Sequence, residues 1–372
     1  MARQLALLLP FAAVLVACGS DGSPVSGAPS ATASSTIAAA TATGGSIPSE
    51  GARTAGGATP TVSGGTAGSA TASPGASSTP GVAASAATSP AVVGPRRVID
   101  LLRVPVGDGK VSTSARAGYV WRCGGGAGGP GGGASVKGPW FNSDGTYNAT
   151  AKAIVDGAIG WPSSFTASRS GSSRILTGNA LPNHVTGRFP IQPSDDAYQY
   201  DRNPNFISQQ TLAVTLPADP QVAAQASCVS PPFVAVLASG SVVFDALDAL
   251  NRDAGAWETQ DRCAGHPQRT GQYHYHTVTA CVADSDSGHS ALLGWAVDGF
   301  GLFGVRGERG ETLTNDNLDA CHGHAHEVEW DGRQVTMYHY HATYEYPYTI
   351  SCYRGTPARL PATGGGAPPP RP

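Results

Sequence analysis

Residues 271–281 read GQYHYHTVTAC, and the tetrapeptide Tyr-His-Tyr-His in this stretch returns in MYHYHATYEY at residues 337–346. Side chains alternate between the two faces of a β-strand. Folded as a strand, each copy therefore places two tyrosines on one face and two histidines on the other. Because four of the chain's 10 histidines lie in these two copies, the repeat predicts a histidine-lined centre backed by packed tyrosines.

Each tetrapeptide lies inside a longer repeated pattern. Residues 263–266 read CAGH and residues 321–324 read CHGH, and each is followed by Tyr-His-Tyr-His and then by a cysteine. Two copies of this order indicate two structurally equivalent units. Because six cysteines can pair in many ways, any disulfide scheme is a hypothesis. The simplest scheme closes each unit on itself and joins the two remaining cysteines: Cys263–Cys281, Cys321–Cys352 and Cys123–Cys228.

The N-terminal residues predict export. Residues 1–17 carry one charge, at Arg3, followed by an apolar run and small residues, which is typical of a secretory signal peptide. Residues 15–18, LVAC, resemble the lipobox of bacterial lipoproteins, in which Cys18 would carry a lipid that anchors the protein to a membrane, at the cell surface or in the periplasm. In an exported chain, the six remaining cysteines favour three disulfides.

The rest of the chain divides into one domain and two low-complexity segments. Residues 18–95 are almost entirely Gly, Ala, Ser, Thr and Pro, and they predict a disordered tether because they cannot bury enough apolar surface. Residues 96–355 have the size of one domain, and residues 356–372 resemble the tether. With 23 Lys+Arg, a formal net charge of -3 and no basic cluster, the sequence does not indicate a nucleic-acid partner.

Short apolar and β-branched runs, bounded by Gly or Pro, predict a mainly β, loop-rich fold for this domain. Asp298-Gly299, between two apolar runs, predicts a hairpin. The best candidate for a helix is Asp245–Arg252. The clearest predicted strands lie at 98–102, 211–218, 232–244 and on both sides of 298–299.

Nine of the 10 histidines lie between residues 266 and 341. If the two Tyr-His-Tyr-His strands lie side by side, four imidazoles face one space. Nine candidates exceed the three or four ligands of one tetrahedral ion, which indicates either a second ion or histidines that orient the ligands. The predicted metal ligands are His266, His274, His276, His324, His326, His339 and His341.

The expected metal is Zn(II) or Cu(II), because imidazole suits both ions. Met337 is the one methionine that remains after removal of the signal peptide, and the cysteines are expected to be oxidised, so a Cu(I) carrier is disfavoured. The alternative interpretation is that the histidines are packed and hydrogen-bonded groups of the core.

Two other motifs have structural explanations. Residues 299–304 match G-x-G-x-x-G, but no helix follows them, so dinucleotide binding is rejected. Asp298 could act as a base or a ligand, but an Asp-Gly turn already accounts for it.

Several blocks of the chain resemble the YHYH-domain family: RILTGNALPNH (174–184), RNPNFISQQ (202–210), HSALLGWAVDGFGLFG (289–304), LDACHGHAH (318–326) and YHYHATYEYPYTISCYRG (338–355). They occur in the family's order and cover about 136–355. The resemblance implies exported and membrane-anchored proteins and transfers no catalytic role. His322 departs from the family pattern. The motif positions carried over are His184, His266, His274, His276, His289, His324, His326, His339 and His341.

Three functions remain open at this stage. The first is a surface-tethered protein that binds Zn(II) or Cu(II) through paired His-x-His strands. The second is a metal-dependent enzyme, with Asp298, Glu327 or Glu345 as candidate bases. The third is a structural or adhesive domain with a hydrogen-bonded Tyr/His core.

Overall fold

The computed structural model describes residues 98–125, 134–230 and 232–360. The predicted signal peptide (1–17), the predicted lipid attachment at Cys18, the tether (18–95) and residues 361–372 of the tail lie outside the described residues. Within the described part of the chain, no helix has the length and apolar composition needed to cross a bilayer.

The described residues form a mainly β, loop-rich domain, as predicted. Within these residues, helical structure is limited to α1 (Ala254–Trp257) and 3-10 turns at Cys123–Gly125, Asp196–Gln199 and Asn315–Asn317. The strands are β1 (Val104–Pro105), β2 (Val111–Ser112), β3 (Val120–Trp121), β4 (Thr146–Tyr147), β5 (Phe165–Ser170), β6 (Ser173–Gly178), β7 (Leu212–Pro217), β8 (Ala235–Leu237), β9 (Val242–Val243), β10 (Gly265–Pro267), β11 (Tyr273–Tyr275), β12 (Leu292–Ala296), β13 (Gly301–Phe303), β14 (Gly323–Trp330) and β15 (Arg333–His341).

Eight of these strands form one sheet in the order β10-β11-β9-β8-β12-β13-β15-β14. Each half of the sheet contains two hairpins, whose second strands pair in parallel: β9 with β11, and β13 with β15. The halves meet at the antiparallel pair of β8 and β12. The strand order therefore reads as a duplication about this central pair, which extends the predicted repeat upstream to the β8–β9 and β12–β13 hairpins.

The two Tyr-His-Tyr-His strands do not lie side by side. Strand β11 and strand β15 are separated in the sheet by β9, β8, β12 and β13. The expectation of one shared space for four imidazoles is therefore wrong. Each copy belongs to its own half of the sheet, because the hairpins that precede the copies occupy the centre.

The tyrosines of both copies pack into the main hydrophobic core, and all four side chains are buried: Tyr273, Tyr275, Tyr338 and Tyr340. Each hydroxyl has a polar partner, as a buried phenol requires. Tyr340 donates to Asp298 at 2.6 Å, and Tyr275 lies 3.1 Å from the Ser239 hydroxyl.

The predicted disulfide scheme is confirmed. The bridges are Cys123–Cys228, Cys263–Cys281 and Cys321–Cys352. Two of them close the duplicated units, so the histidines of each unit lie within one covalent loop. Three disulfides indicate folding in an oxidising, extracytoplasmic compartment.

The hairpin at Asp298-Gly299 is confirmed, since β12 pairs antiparallel with β13 and Gly299 adopts φ +93°. Residues 98–102 are not a strand: the chain turns at 101–103, and Asp100 accepts a hydrogen bond from the Leu102 amide at 2.9 Å. Val98 is 86% exposed, while Ile99 and Leu101 are half-buried against a small core cluster, but the run pairs with no other strand of the described residues.

The helix predicted at Asp245–Arg252 is wrong. The Asp245 carboxylate accepts from the Leu247 amide at 3.1 Å, and Asp248 accepts from the Leu250 amide at 2.8 Å. Such local side-chain bonds compete with helical hydrogen bonding. The helix instead begins at Ala254, after Asp253 as its N-cap.

Candidate metal centres

One aspartate in each half holds the turn that begins the histidine repeat. Asp261 Oδ1 accepts hydrogen bonds from the amides of Cys263 (2.9 Å) and Gly265 (3.2 Å), and Tyr273 donates its hydroxyl to the same carboxylate. In the second half, Asp319 accepts the equivalent bonds from Cys321 (2.8 Å), Gly323 (3.2 Å) and Tyr338 (3.0 Å).

These turns position one histidine of each unit against its Tyr-His-Tyr-His strand. The register pairs His266 with His274 in the first half, and His324 with His339 in the second. Because strand side chains alternate, His276 lies on the same face as His274, and His341 lies on the same face as His339. Each half therefore brings three equivalent imidazoles together.

Centre A comprises His266, His274 and His276. One ligand nitrogen from each lies within 4.8 Å of the others, and all three side chains are buried. The shortest contact joins His274 Nε2 to His276 Nε2 at 3.1 Å.

The hydrogen bonds of His274 and His276 determine which of their ring nitrogens are free, whereas His266 Nδ1 lies 3.4 Å from the side-chain nitrogen of Asn203. His276 Nδ1 lies 2.5 Å from the Asp245 carbonyl oxygen, and His274 Nδ1 lies 3.2 Å from the Gln272 carbonyl oxygen. A carbonyl oxygen only accepts, so Nδ1 carries the proton in both rings. In the neutral rings, each Nε2 then carries a lone pair, and two lone pairs face one another. A cation between them relieves this repulsion.

Centre B comprises His289, His324, His326, His339 and His341, whose ligand nitrogens lie within 4.8 Å of one another. His289 Nε2 is 3.2 Å from His341 Nε2, and His326 Nε2 is 3.1 Å from His324 Nε2. His339 and His341 are fully buried, whereas the other three are partly accessible.

Centre B repeats the tautomer arrangement of centre A. Nδ1 faces a backbone carbonyl oxygen in four rings, which leaves Nε2 of each ring turned toward its neighbours. The buried Nε2 of His339 has no hydrogen-bond partner. The Nδ1-to-oxygen distances are 2.8 Å for His289 and Ser290, 2.9 Å for His326 and Glu327, 3.1 Å for His339 and Met337, and 2.6 Å for His341 and Gly304.

The spacing of the facing nitrogens fits a shared ion. Two ligands held about 2.0–2.1 Å from one metal ion, and about 3.1–3.2 Å from each other, subtend an angle of roughly 100° at the metal. That angle is close to the tetrahedral value. A backbone carbonyl on the second ring nitrogen is also the usual way in which proteins orient metal-binding histidines.

Burial keeps these imidazoles neutral. Desolvation lowers the pKa of His276 to about 4, and desolvation together with the neighbouring His326 and His289 lowers the pKa of His324 to about 4. The pKa values of His274 and His341 also lie well below the ordinary value, first through burial and then through the adjacent histidine. Neutral imidazole is the form that binds metal.

The seven predicted ligands thus fall into two groups, three in centre A and four in centre B. His322 belongs to neither group and lies 3.1 Å from the Thr343 hydroxyl, in keeping with its departure from the family pattern. His184 lies near Cys263 and Cys281, but these two cysteines form a disulfide and are not ligands. Its Nε2 lies 2.6 Å from the Tyr275 hydroxyl.

The candidate bases have structural partners. Asp298 is buried and accepts from Tyr340 and from the Gly355 amide at 2.8 Å. Glu345 accepts from the Asn315 amide at 2.7 Å. Glu327 is exposed and follows His326 on β14.

Two residues of the centres were missed as ligand candidates. His289 precedes β12 and reaches His341 from 52 positions away; its signals were its place in the histidine-rich window and its position in a block that resembles the YHYH-domain family. Glu258 directly follows α1, and its Oε2 lies 3.3 Å from His276 Nε2. Nothing in its local sequence marks it.

Residues 213–313 match a family model described as YHYH protein. The matched segment includes the first Tyr-His-Tyr-His copy and His289, and it ends before the second copy. No match was found among curated proteins or solved structures. Residues 213–313 of the chain therefore match the YHYH protein family.

Proposed function

We propose that this protein is an exported metal-binding protein that holds one divalent ion in each of its two histidine centres. The observation that carries the proposal is the contact between unprotonated Nε2 atoms, at 3.1 Å for His274 and His276 in centre A and at 3.2 Å for His289 and His341 in centre B. In a purely hydrogen-bonded Tyr/His core, each pair would need a shared proton. The Nδ1 hydrogen bonds of His274, His276, His289 and His341, and the pKa values of these four rings, which burial lowers, oppose such a proton.

The proposed ions are Zn(II) or Cu(II). Both centres offer imidazole nitrogen, and all six cysteines of the described residues are bound in disulfides. Imidazole without thiolate suits these divalent ions better than Cu(I).

Elemental analysis of the purified protein tests the proposal. We expect about two ions per chain after incubation with Zn(II) or Cu(II) and removal of excess metal. His274→Ala and His339→Ala should each remove one ion, and together both ions. His322→Asn, a change at a buried histidine outside both centres, is the matched control and should retain both. A protein that stays metal-free and whose melting temperature ignores added metal would support the structural alternative.

We further propose that a lipid on Cys18 anchors the protein to a membrane, which agrees with the extracytoplasmic setting that the disulfides indicate. Metabolic labelling with a fatty-acid analogue should tag the wild-type protein and not a Cys18→Ala variant. Equal labelling of both would contradict the anchor.

A further inference from the structure

We propose that the duplicated centres have diverged: centre A, completed by Glu258 as its fourth ligand, holds a resident ion, and centre B holds an exchangeable ion. This inference rests on the proposed function, since it requires metal in both centres.

Glu258 is placed as a ligand by the position of its Oε2 atom, which has no hydrogen-bond partner. Its Oε2 lies 3.4 Å from His266 Nε2 and 3.3 Å from His276 Nε2. Both Glu258 Oε2 and His266 Nε2 are buried without a hydrogen-bond partner. The nearby ammonium of Lys152 donates instead to the Gly255 carbonyl and to Gln260. A buried carboxyl group without a hydrogen bond is stabilised either by protonation or by a cation, and a metal ion bound by the three histidines would supply the cation.

Centre A is closed to solvent. Its histidines are 3–4% exposed and Glu258 is 6% exposed. Three imidazoles and one carboxylate complete a four-coordinate ion, which is the pattern of a structural site. Phe244 stacks on His274 at 3.9 Å between ring centroids and covers one side. An ion in this centre can leave only if the surrounding hairpin opens.

Centre B differs in ligands and in access. His326, which has no histidine counterpart in centre A, occupies the position that Gln268 occupies in the first unit, two residues after the paired histidine. His289, His324 and His326 are each partly exposed. Solvent can therefore reach the ion, and a chelator can displace the protein ligands one at a time.

Asp284 and Glu308 act electrostatically on His289, and Glu311 acts on His324. Two of these carboxylates also pair with arginines, Asp284 with Arg306 and Glu311 with Arg309, each at 3.5 Å. The exchangeable character of centre B therefore rests on the accessibility of its ligands.

A chelator challenge of the full-length protein loaded with Zn(II) tests this division. With EDTA in excess at neutral pH and zinc quantified over time, we expect two phases of one ion each. Glu258→Gln should accelerate the slow phase by roughly tenfold or more and leave the fast phase unchanged. Glu345→Gln removes another buried carboxylate, outside both centres, and should leave both phases as in the wild type. His326→Gln should alter the fast phase alone.

The outcomes separate the two proposals. A chain that never binds zinc overturns the proposed function. Two ions that leave in a single phase, or a slow phase that Glu258→Gln does not change, overturn the division while metal binding stands. If Glu258→Gln does not fold, histidine ¹⁵N NMR of the wild type decides after brief chelation: His274 and His276 should keep metal-bound shifts while His339 and His341 revert. The reverse order refutes the inference.

Discussion

Replacing His322 with asparagine should reduce the pH dependence of the free energy of unfolding. His322 is 2% exposed, and burial alone lowers its pKa to about 3. In the unfolded chain a histidine titrates near pH 6.5. The pKa is lower in the folded protein, so between the two pKa values the unfolded chain binds a proton at His322 and the folded protein does not. The contribution of His322 to the free energy of unfolding is therefore complete above about pH 6.5 and is lost as the pH falls below it.

The size of the effect follows from these two pKa values. At pH 5, protonation of His322 in the unfolded chain costs the folded state about 2 kcal/mol relative to pH 8. His322→Asn removes this contribution. Asparagine also suits the backbone, since His322 has φ +78° and asparagine tolerates the left-handed region.

Urea unfolding at pH 8 and pH 5, on wild type and variant in the same buffers, measures the difference. The wild type should lose about 2 kcal/mol more than His322→Asn between the two pH values. Thr343→Val is the control: it removes the hydroxyl beside His322 but keeps the imidazole, and it should show the wild-type pH dependence. Equal losses in wild type and His322→Asn would refute the reasoning, because His322 would then titrate as in water.

Three further predictions concern the units themselves. Tyr340→Phe should lower the free energy of unfolding by about 1.5–3 kcal/mol, because Asp298 loses a buried hydrogen bond; a urea midpoint equal to the wild type's would contradict it. Replacing Cys263 and Cys281 by serine removes a bridge between residues 18 positions apart. Because the unfolded chain then gains conformational entropy, the free energy of unfolding should fall by about 3 kcal/mol in the same assay, and an unchanged midpoint would contradict this reasoning. Since the pKa of His276 is about 4, zinc should remain bound at pH 5 in equilibrium dialysis, whereas release centred near pH 6.5 would show ordinary imidazoles.

Prediction from sequence succeeded where the determining contacts are local. The alternation of Tyr and His along β11 and β15 follows from strand geometry, and the Asp298-Gly299 hairpin follows from turn chemistry. The prediction of a helix at 245–252 failed because two aspartates accept hydrogen bonds from nearby amides. These bonds compete with helical backbone hydrogen bonds, and they depend on side-chain geometry that the spacing of apolar residues does not encode.

The number of centres could not be predicted. The repeat indicated two equivalent units, but whether their histidines share one space depends on where the strands lie in the sheet. Strands β8, β9, β12 and β13 pair at the middle and carry the two copies apart. That arrangement depends on hairpins upstream of the recognisable repeat.

The duplication, two of the disulfides and the three equivalent histidines of each unit can be read from the amino-acid order, because each lies within one short covalent loop. Apolar and β-branched runs indicate the mainly β class, and Cys123–Cys228, 105 positions apart, follows as the remaining pair. The folded sheet was needed to show that there are two centres, that His289 joins centre B and that Glu258 borders centre A. These side chains arrive from outside the loops, and the folded sheet alone brings them within ligand distance.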